Sequence, residues 1–143
     1  MGDEAMDVEA VQKQLAEAVS QQLGSLVSLT LLAGSLRGPM SISLKGRLQA
    51  FAVAEVADAQ LLVEKLIAVG GQLPPMQAPP VPGTDAGTAL RDYIEREEQV
   101  MAALHAVIPS TGQEPRSEAL EHLIEHVLMR KQQQLDFLSL AQG

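Results

Sequence analysis

The chain has 143 residues, a formal net charge of −8 and no cysteine. This length suits one domain with its own core. The acidic balance argues against DNA or RNA as the main partner because phosphate binding needs a basic face, and the lack of cysteine excludes disulfides and thiolate ligands.

The first half of the chain predicts two long helices. Aromatic residues make up only 2% of the chain, so the core must be aliphatic, which favours the packing of helices over a sheet. Apolar residues recur at three- and four-residue steps over residues 7–36 and again over 41–69. Gly38-Pro39 ends helix 1, Ser41 or Ser43 caps helix 2, and Gly70-Gly71 ends helix 2.

The second half predicts a linker and two further helices. Residues 72–87 hold five of the eight prolines and form the linker, followed by helix 3 over 88–108 and helix 4 over 117–142. The connections within each helix pair are short, so each pair is an antiparallel hairpin. The linker can reach about 50 Å, and a thirty-residue helix is about 45 Å long. We therefore predict a single all-α domain over 1–143, an antiparallel four-helix bundle with one long crossover.

A polar residue interrupts the apolar stripe of each helix near its middle. The interruptions are Gln22 in helix 1, Glu55 and Asp58 in helix 2, Glu97 in helix 3, and Lys131 and Gln134 in helix 4. Burying an unpaired charge costs several kcal/mol or more. Four interruptions at a similar level predict one shared polar site inside the bundle. The alternative is that the helices are rotated and that the carboxylates face solvent.

The segments Ala54–Pro74 and Leu123–Leu138 resemble the second and fourth helices of the ferritin-like superfamily, most closely its bacterioferritin-like members. That family binds two irons with one Glu from helix 1, one from helix 3, and a Glu-x-x-His from each of helices 2 and 4. The resemblance implies that this chain keeps the type of at most two of those six ligands. The matched positions are Gln22, Glu55, Asp58 (for His), Glu97 (or Glu98 in a shifted register), Lys131 (for Glu) and Gln134 (for His).

A lysine at a ligand position changes the electrostatics of the site. The ammonium of Lys131 would stand where a cation stands in the family, which removes the reason for carboxylates to bind iron. We predict that Lys131 pairs with Glu55, Glu97 or both, and that Gln22 and Gln134 complete the hydrogen bonding. No cofactor is then expected. A single Mg, Mn or Ca ion among the oxygen ligands is one alternative. A Zn or Ni pair at His122 and His126 on the helix 4 surface is another.

Helices 1 and 2 also carry a second smooth surface. Small and apolar residues form it, namely Gly24, Val27, Leu31 and Gly34 on helix 1 and Ala54 and Ala57 on helix 2. A helix that is apolar on all sides is buried on both. This pattern predicts a two-fold dimer through helices 1 and 2, as bacterioferritin-like proteins form, against the alternative of a loosely apolar monomer surface.

The combined interpretation is a non-catalytic, cytoplasmic, dimeric structural or protein-interaction module with a degenerate di-iron site. Its partners are a second copy and potentially another protein, with no nucleic acid and no membrane. The sequence ends just after helix 4, which argues against the extra C-terminal helix of cage-forming ferritins. The alternative function is a ferroxidase or iron-storage protein that holds Fe or Mn in a non-standard site.

Overall fold

A computed structural model of the chain describes residues 5–76, 78–83 and 85–142. It shows four α-helices: α1 Val8–Ser35, α2 Pro39–Ala68, α3 Ala86–His105 and α4 Pro115–Gln142, with a short 3-10 helix at Ile108–Ser110 before α4. The predicted all-α bundle with a long connection between α2 and α3 is confirmed. None of the helices in the described part is long and apolar enough to cross a membrane.

Four helix boundaries differ from the sequence prediction by two or three residues, and one of them is the start of α4, which lies at Pro115 and not near 117. Local chemistry explains the other three. Helix α2 begins at Pro39 and not near Ser41, since the fixed φ of a proline suits the first helical position. Helix α3 begins at Ala86, where Asp85 caps it by accepting a hydrogen bond from the Thr88 amide at 2.9 Å. It ends at His105 and not at 108, because the residue before Pro109 disfavours the α conformation and the chain tightens into the 3-10 turn.

Around the bundle, α1 packs beside α2 and α3, and α4 packs beside α3 and α2. Helix α2 ends where Gly70 adopts a φ of 81°, a conformation that favours glycine. The crossover then returns along the bundle, and its residues Pro79–Pro82 lie against α1 and α3.

The apolar core is divided into two clusters. One cluster contains Leu15, Leu66, Leu104 and Ile124, and the other contains Leu29, Leu48, Leu90 and Leu138, with each helix contributing to both. Between the two clusters, all four helices present buried polar side chains. One polar layer therefore lies between the two apolar clusters of the core.

Candidate functional site

The polar layer connects four of the six positions that the sequence singled out for their chemistry, namely Gln22, Glu55, Glu97 and Lys131, and the other two lie beside it. The exposed fractions of all six run from 0% to 4%: Gln22, Glu55, Asp58, Glu97, Lys131 and Gln134. The alternative in which rotated helices turn these carboxylates to solvent is therefore wrong. Burial of this kind follows from the helical period, because each of these residues continues the apolar stripe of its own helix.

Lys131 is the centre of the layer. Its Nζ lies 3.1 Å from both Glu55 carboxylate oxygens and 3.0 Å from Glu97 Oε1, and the three side chains come from three different helices. The expected ion pairs with both glutamates are present. Because the Lys131 side chain is fully buried, water screens these contacts far less than it screens a surface pair.

Donors from α1 and α3 complete the surroundings of the two glutamates. The Gln22 side-chain amide donates to Glu55 Oε2, and the Ser25 hydroxyl donates to Glu97 Oε1 at 2.8 Å. The Tyr93 hydroxyl donates to the same oxygen at 3.1 Å.

Ser25 and Tyr93 were missed in the sequence. A usable signal existed, because Ser25 lies three residues after Gln22 and Tyr93 lies four residues before Glu97, so each shares the inward face of its helix.

Asp58 and Gln134, the two residues that stand where the resembled family has histidines, do not join the ion-paired triad. Asp58 Oδ2 lies 2.9 Å from Arg130 Nε, and this pair forms beside the triad. The prediction that Gln134 completes the hydrogen bonding is wrong: among the described side chains no hydrogen bond involves it, and it lines a cleft between α2 and α4. Gln134 lies almost a full turn beyond Lys131, and its side chain lines the cleft and not the triad.

The charges within the layer do not balance if every group is ionised, since Glu55 and Glu97 face one lysine. Burial raises the pKa of Glu55, and the Lys131 ammonium and the Gln22 amide only partly oppose that shift. Burial and the nearby Glu97 carboxylate raise the pKa of Tyr93, so its hydroxyl stays protonated and can donate. Within the described residues, Gln22 Oε1 and Glu97 Oε2 are buried acceptors without a hydrogen-bond donor.

The histidine pair on α4 does not form a site with a third ligand. His122 and His126 are both exposed, and His126 Nε2 lies 2.7 Å from an Arg130 nitrogen. Across the residues that the structure describes, no group of three or more His, Cys, Asp or Glu side chains has the arrangement to hold a metal ion.

Comparison with known proteins identifies the fold. No protein-family model matches this sequence, and no curated protein matches it.

Two solved structures match the bundle closely. A ferritin-like, diiron-carboxylate protein from Bacillus anthracis str. Ames is 15% identical with a TM-score of 0.86, over 96% of this chain and 98% of that one. A dodecameric thioferritin, the bacterioferritin-related protein from Bacteroides fragilis, is 17% identical with a TM-score of 0.80, over 96% of this chain and 86% of that one. The chain has the ferritin-like fold of diiron-carboxylate proteins.

The first prediction concerns the buried lysine. Lys131→Met leaves Glu55 and Glu97 buried without a counter-ion, so the free energy of unfolding should fall by about 3–5 kcal/mol. Lys45→Met, which removes an exposed lysine from α2, serves as the control and should change stability by less than about 0.5 kcal/mol. Denaturant unfolding of the three proteins measures both. Equal stability of Lys131→Met and the parent chain would contradict the ion-paired layer.

The second prediction concerns pH. A carboxyl whose pKa is raised on folding binds its proton more tightly in the native state, so the stability it contributes is present below its ordinary pKa near 4.5 and is lost as pH rises through the raised value. Glu55→Gln mimics the protonated form at every pH. The stability of this variant relative to the parent should therefore rise with pH above 4.5, by up to about 1.4 kcal/mol per pH unit. Urea unfolding of both proteins from pH 4 to 8 tests this, and a pH-independent difference would refute it.

Proposed function

We propose that this ferritin-like protein has lost its di-iron centre and acts as a dimeric structural or protein-interaction module. The observation that carries this proposal is the position of Lys131 Nζ, within 3.1 Å of carboxylate oxygens from both α2 and α3. In the resembled family, the carboxylates of these helices face iron. Here they face an ammonium.

The donor set supports the same conclusion. Two irons need several carboxylates to balance their charge and imidazoles to complete their coordination. Asp58 stands at one histidine position and is paired with Arg130, and Gln134, which stands at the other, lies in the cleft outside the triad. The charge within the triad comes to two carboxylates and one ammonium. These residues do not fit a two-iron centre.

A role in structure follows from what the layer contributes to the bundle. A buried ion pair is a weak source of net stability, because desolvation offsets the attraction, but removing one partner is costly. The triad links α2, α3 and α4, and Ser25 and Gln22 link α1 to it. These contacts can all form only at one axial position of each helix relative to the others. A shift of one helix along its axis would therefore break them. The layer thus makes the bundle a rigid scaffold.

The outer surface of α1 and α2 provides the interaction face. Of the proposed interface residues, Gly24, Leu31 and Ala54 are half-buried, and Val27, Gly34 and Ala57 are exposed. Val53 on α2 is 74% exposed and Val56 is 48% exposed. A shallow apolar groove of about 430 Å³ runs between the two helices beside Leu23, Leu26 and Val56. Contiguous apolar surface of this kind favours a protein interface, and a two-fold axis lets the same face cover itself.

The second candidate function is that of a ferritin-like protein that binds Fe or Mn in a non-standard site, as a ferroxidase or in iron storage. The observation in its favour is that Gln22 Oε1 and Glu97 Oε2 are buried oxygen acceptors without a donor among the described residues. Oxygen ligands of this type suit Mn and Fe.

The third prediction separates these two functions by metal content. Purified protein incubated with Fe(II) or Mn(II) and then desalted should hold far less than one ion per chain, since Lys131 opposes a cation in the layer. Elemental analysis measures the retained metal. Glu97→Gln serves as the control, because it removes a carboxylate that the second function requires. Stoichiometric metal in the parent chain that disappears in Glu97→Gln would overturn the proposed loss of the centre.

The fourth prediction concerns the dimer. The parent chain should have the mass of a dimer, and Val56→Glu should shift it to a monomer, because the new carboxylate would be buried without a partner in the interface. The matched control is Leu140→Glu, which makes the same type of change at a position of α4 that is 81% exposed and should leave the mass unchanged. Light scattering after gel filtration gives the masses. A parent chain that is monomeric at all concentrations would exclude the dimer.

A further inference from the structure

A second polar site lies between α2 and α4, outside the ion-paired layer. It is a cleft of about 270 Å³ whose main lining residues are Arg47, Phe51, Ala54, Arg130, Gln134 and Phe137. The small side chain of Ala54 leaves space here. Two guanidinium groups, two aromatic rings and one side-chain amide thus share one opening in a protein whose net charge is −8.

The aromatic wall of the cleft holds Arg47 in place. Its guanidinium carbon lies 4.6 Å from the centre of the Phe137 ring, and Phe137 in turn packs edge-to-face against Phe51 with ring centres 5.9 Å apart. Stacking on an aromatic face leaves the N–H edge of a guanidinium free for hydrogen bonds in its own plane. Among the residues that the structure describes, no side chain accepts a hydrogen bond from Arg47. Its donors are therefore available to a ligand.

The second guanidinium is fixed by its neighbours. Arg130 Nε lies 2.9 Å from Asp58 Oδ2, and its terminal nitrogen NH2 lies 2.7 Å from His126 Nε2. These contacts hold the side chain at the cleft without using all of its five donors. The charge of Asp58 offsets one of the two arginines, so the cleft keeps an excess of one positive charge.

Gln134 adds a further polar group to the cleft. It is only 4% exposed, it lines the cleft, and among the described residues it has no side-chain hydrogen-bond partner. Its amide opens to the cleft beside two arginines, so it can contact a polar ligand there.

We propose that this cleft binds a small planar organic carboxylate. The flat guanidinium fork of Arg47 matches a carboxylate in two parallel hydrogen bonds, and Arg130 and the Gln134 amide offer further donors. The aromatic lining from Phe51 and Phe137 suits a flat apolar body. The volume is slightly below the range of drug-sized pockets, about 300–1,000 Å³, which limits the ligand to one small ring or a short chain. None of Lys131, Glu55 and Glu97 lines the cleft, so the proposal does not depend on whether the polar layer binds a metal ion. Among the interface residues proposed above, only Ala54 also lines it.

The experiment is a calorimetric or NMR titration of the full chain with benzoate, with its neutral analogue benzamide, and with inorganic phosphate. The parent chain should bind benzoate saturably, and benzamide and phosphate at least about ten-fold more weakly, since each lacks either the charge or the planar carboxylate. Arg47→Gln should weaken benzoate binding by about ten-fold or more, and Gln134→Leu should also weaken it.

The control is Arg37→Gln, which removes an exposed arginine outside the cleft and should leave benzoate binding unchanged. Circular dichroism and thermal unfolding establish that each variant is folded, and Arg47 is exposed enough for its replacement to be tolerated. Absence of saturable benzoate binding by the parent chain would overturn the proposal. So would equal binding of benzamide or phosphate, or equal loss of binding in Arg37→Gln and Arg47→Gln.

Discussion

The contact between the Lys131 ammonium and the carboxylates of Glu55 and Glu97 is the constraint on which this bundle depends. Each of these three groups would be too costly to bury alone, because desolvation of an unpaired charge exceeds what a single apolar contact returns. Together they are tolerable, and Gln22, Ser25 and Tyr93 donate further hydrogen bonds to Glu55 Oε2 and Glu97 Oε1. The other features of the interior, including the two separate apolar halves, are arranged around that layer.

The same contact connects the fold to the proposed function. A ferritin-like bundle offers a polar interior at the middle of four helices, and in diiron-carboxylate proteins that interior serves metal chemistry. An internal cation alters the electrostatics without altering the packing of the helices. The bundle keeps the shape shown by its TM-score of 0.86 to the Bacillus anthracis protein at 15% identity, and the proposed function rests on the ion-paired side chains at its centre. Fold and site are separable properties here.

The surface formed by α1 and α2 differs in chemistry from the surface between α2 and α4. The face of α1 and α2 is smooth and apolar, which suits a protein partner, whereas the cleft between α2 and α4 gathers guanidinium groups, aromatic rings and an unpaired amide. The cleft lies between α2 and α4, which pack less closely than α1 and α2. The residue at which this matters most is Gln134, which is buried yet remains open to the cleft.

The sequence by itself determined the helices, the crossover and the set of inward polar residues, because helical periodicity and proline placement are local properties of the chain. It also indicated that Lys131 would meet Glu55, Glu97 or both, since polar residues at a similar level in four stripes predict contact. Only the tertiary structure decided the partners of the remaining groups. Asp58 pairs with Arg130, Gln134 lines the cleft, and Ser25 and Tyr93 donate to Glu97. These contacts depend on the spacing and rotation of the helices relative to one another. A local sequence pattern does not determine either quantity.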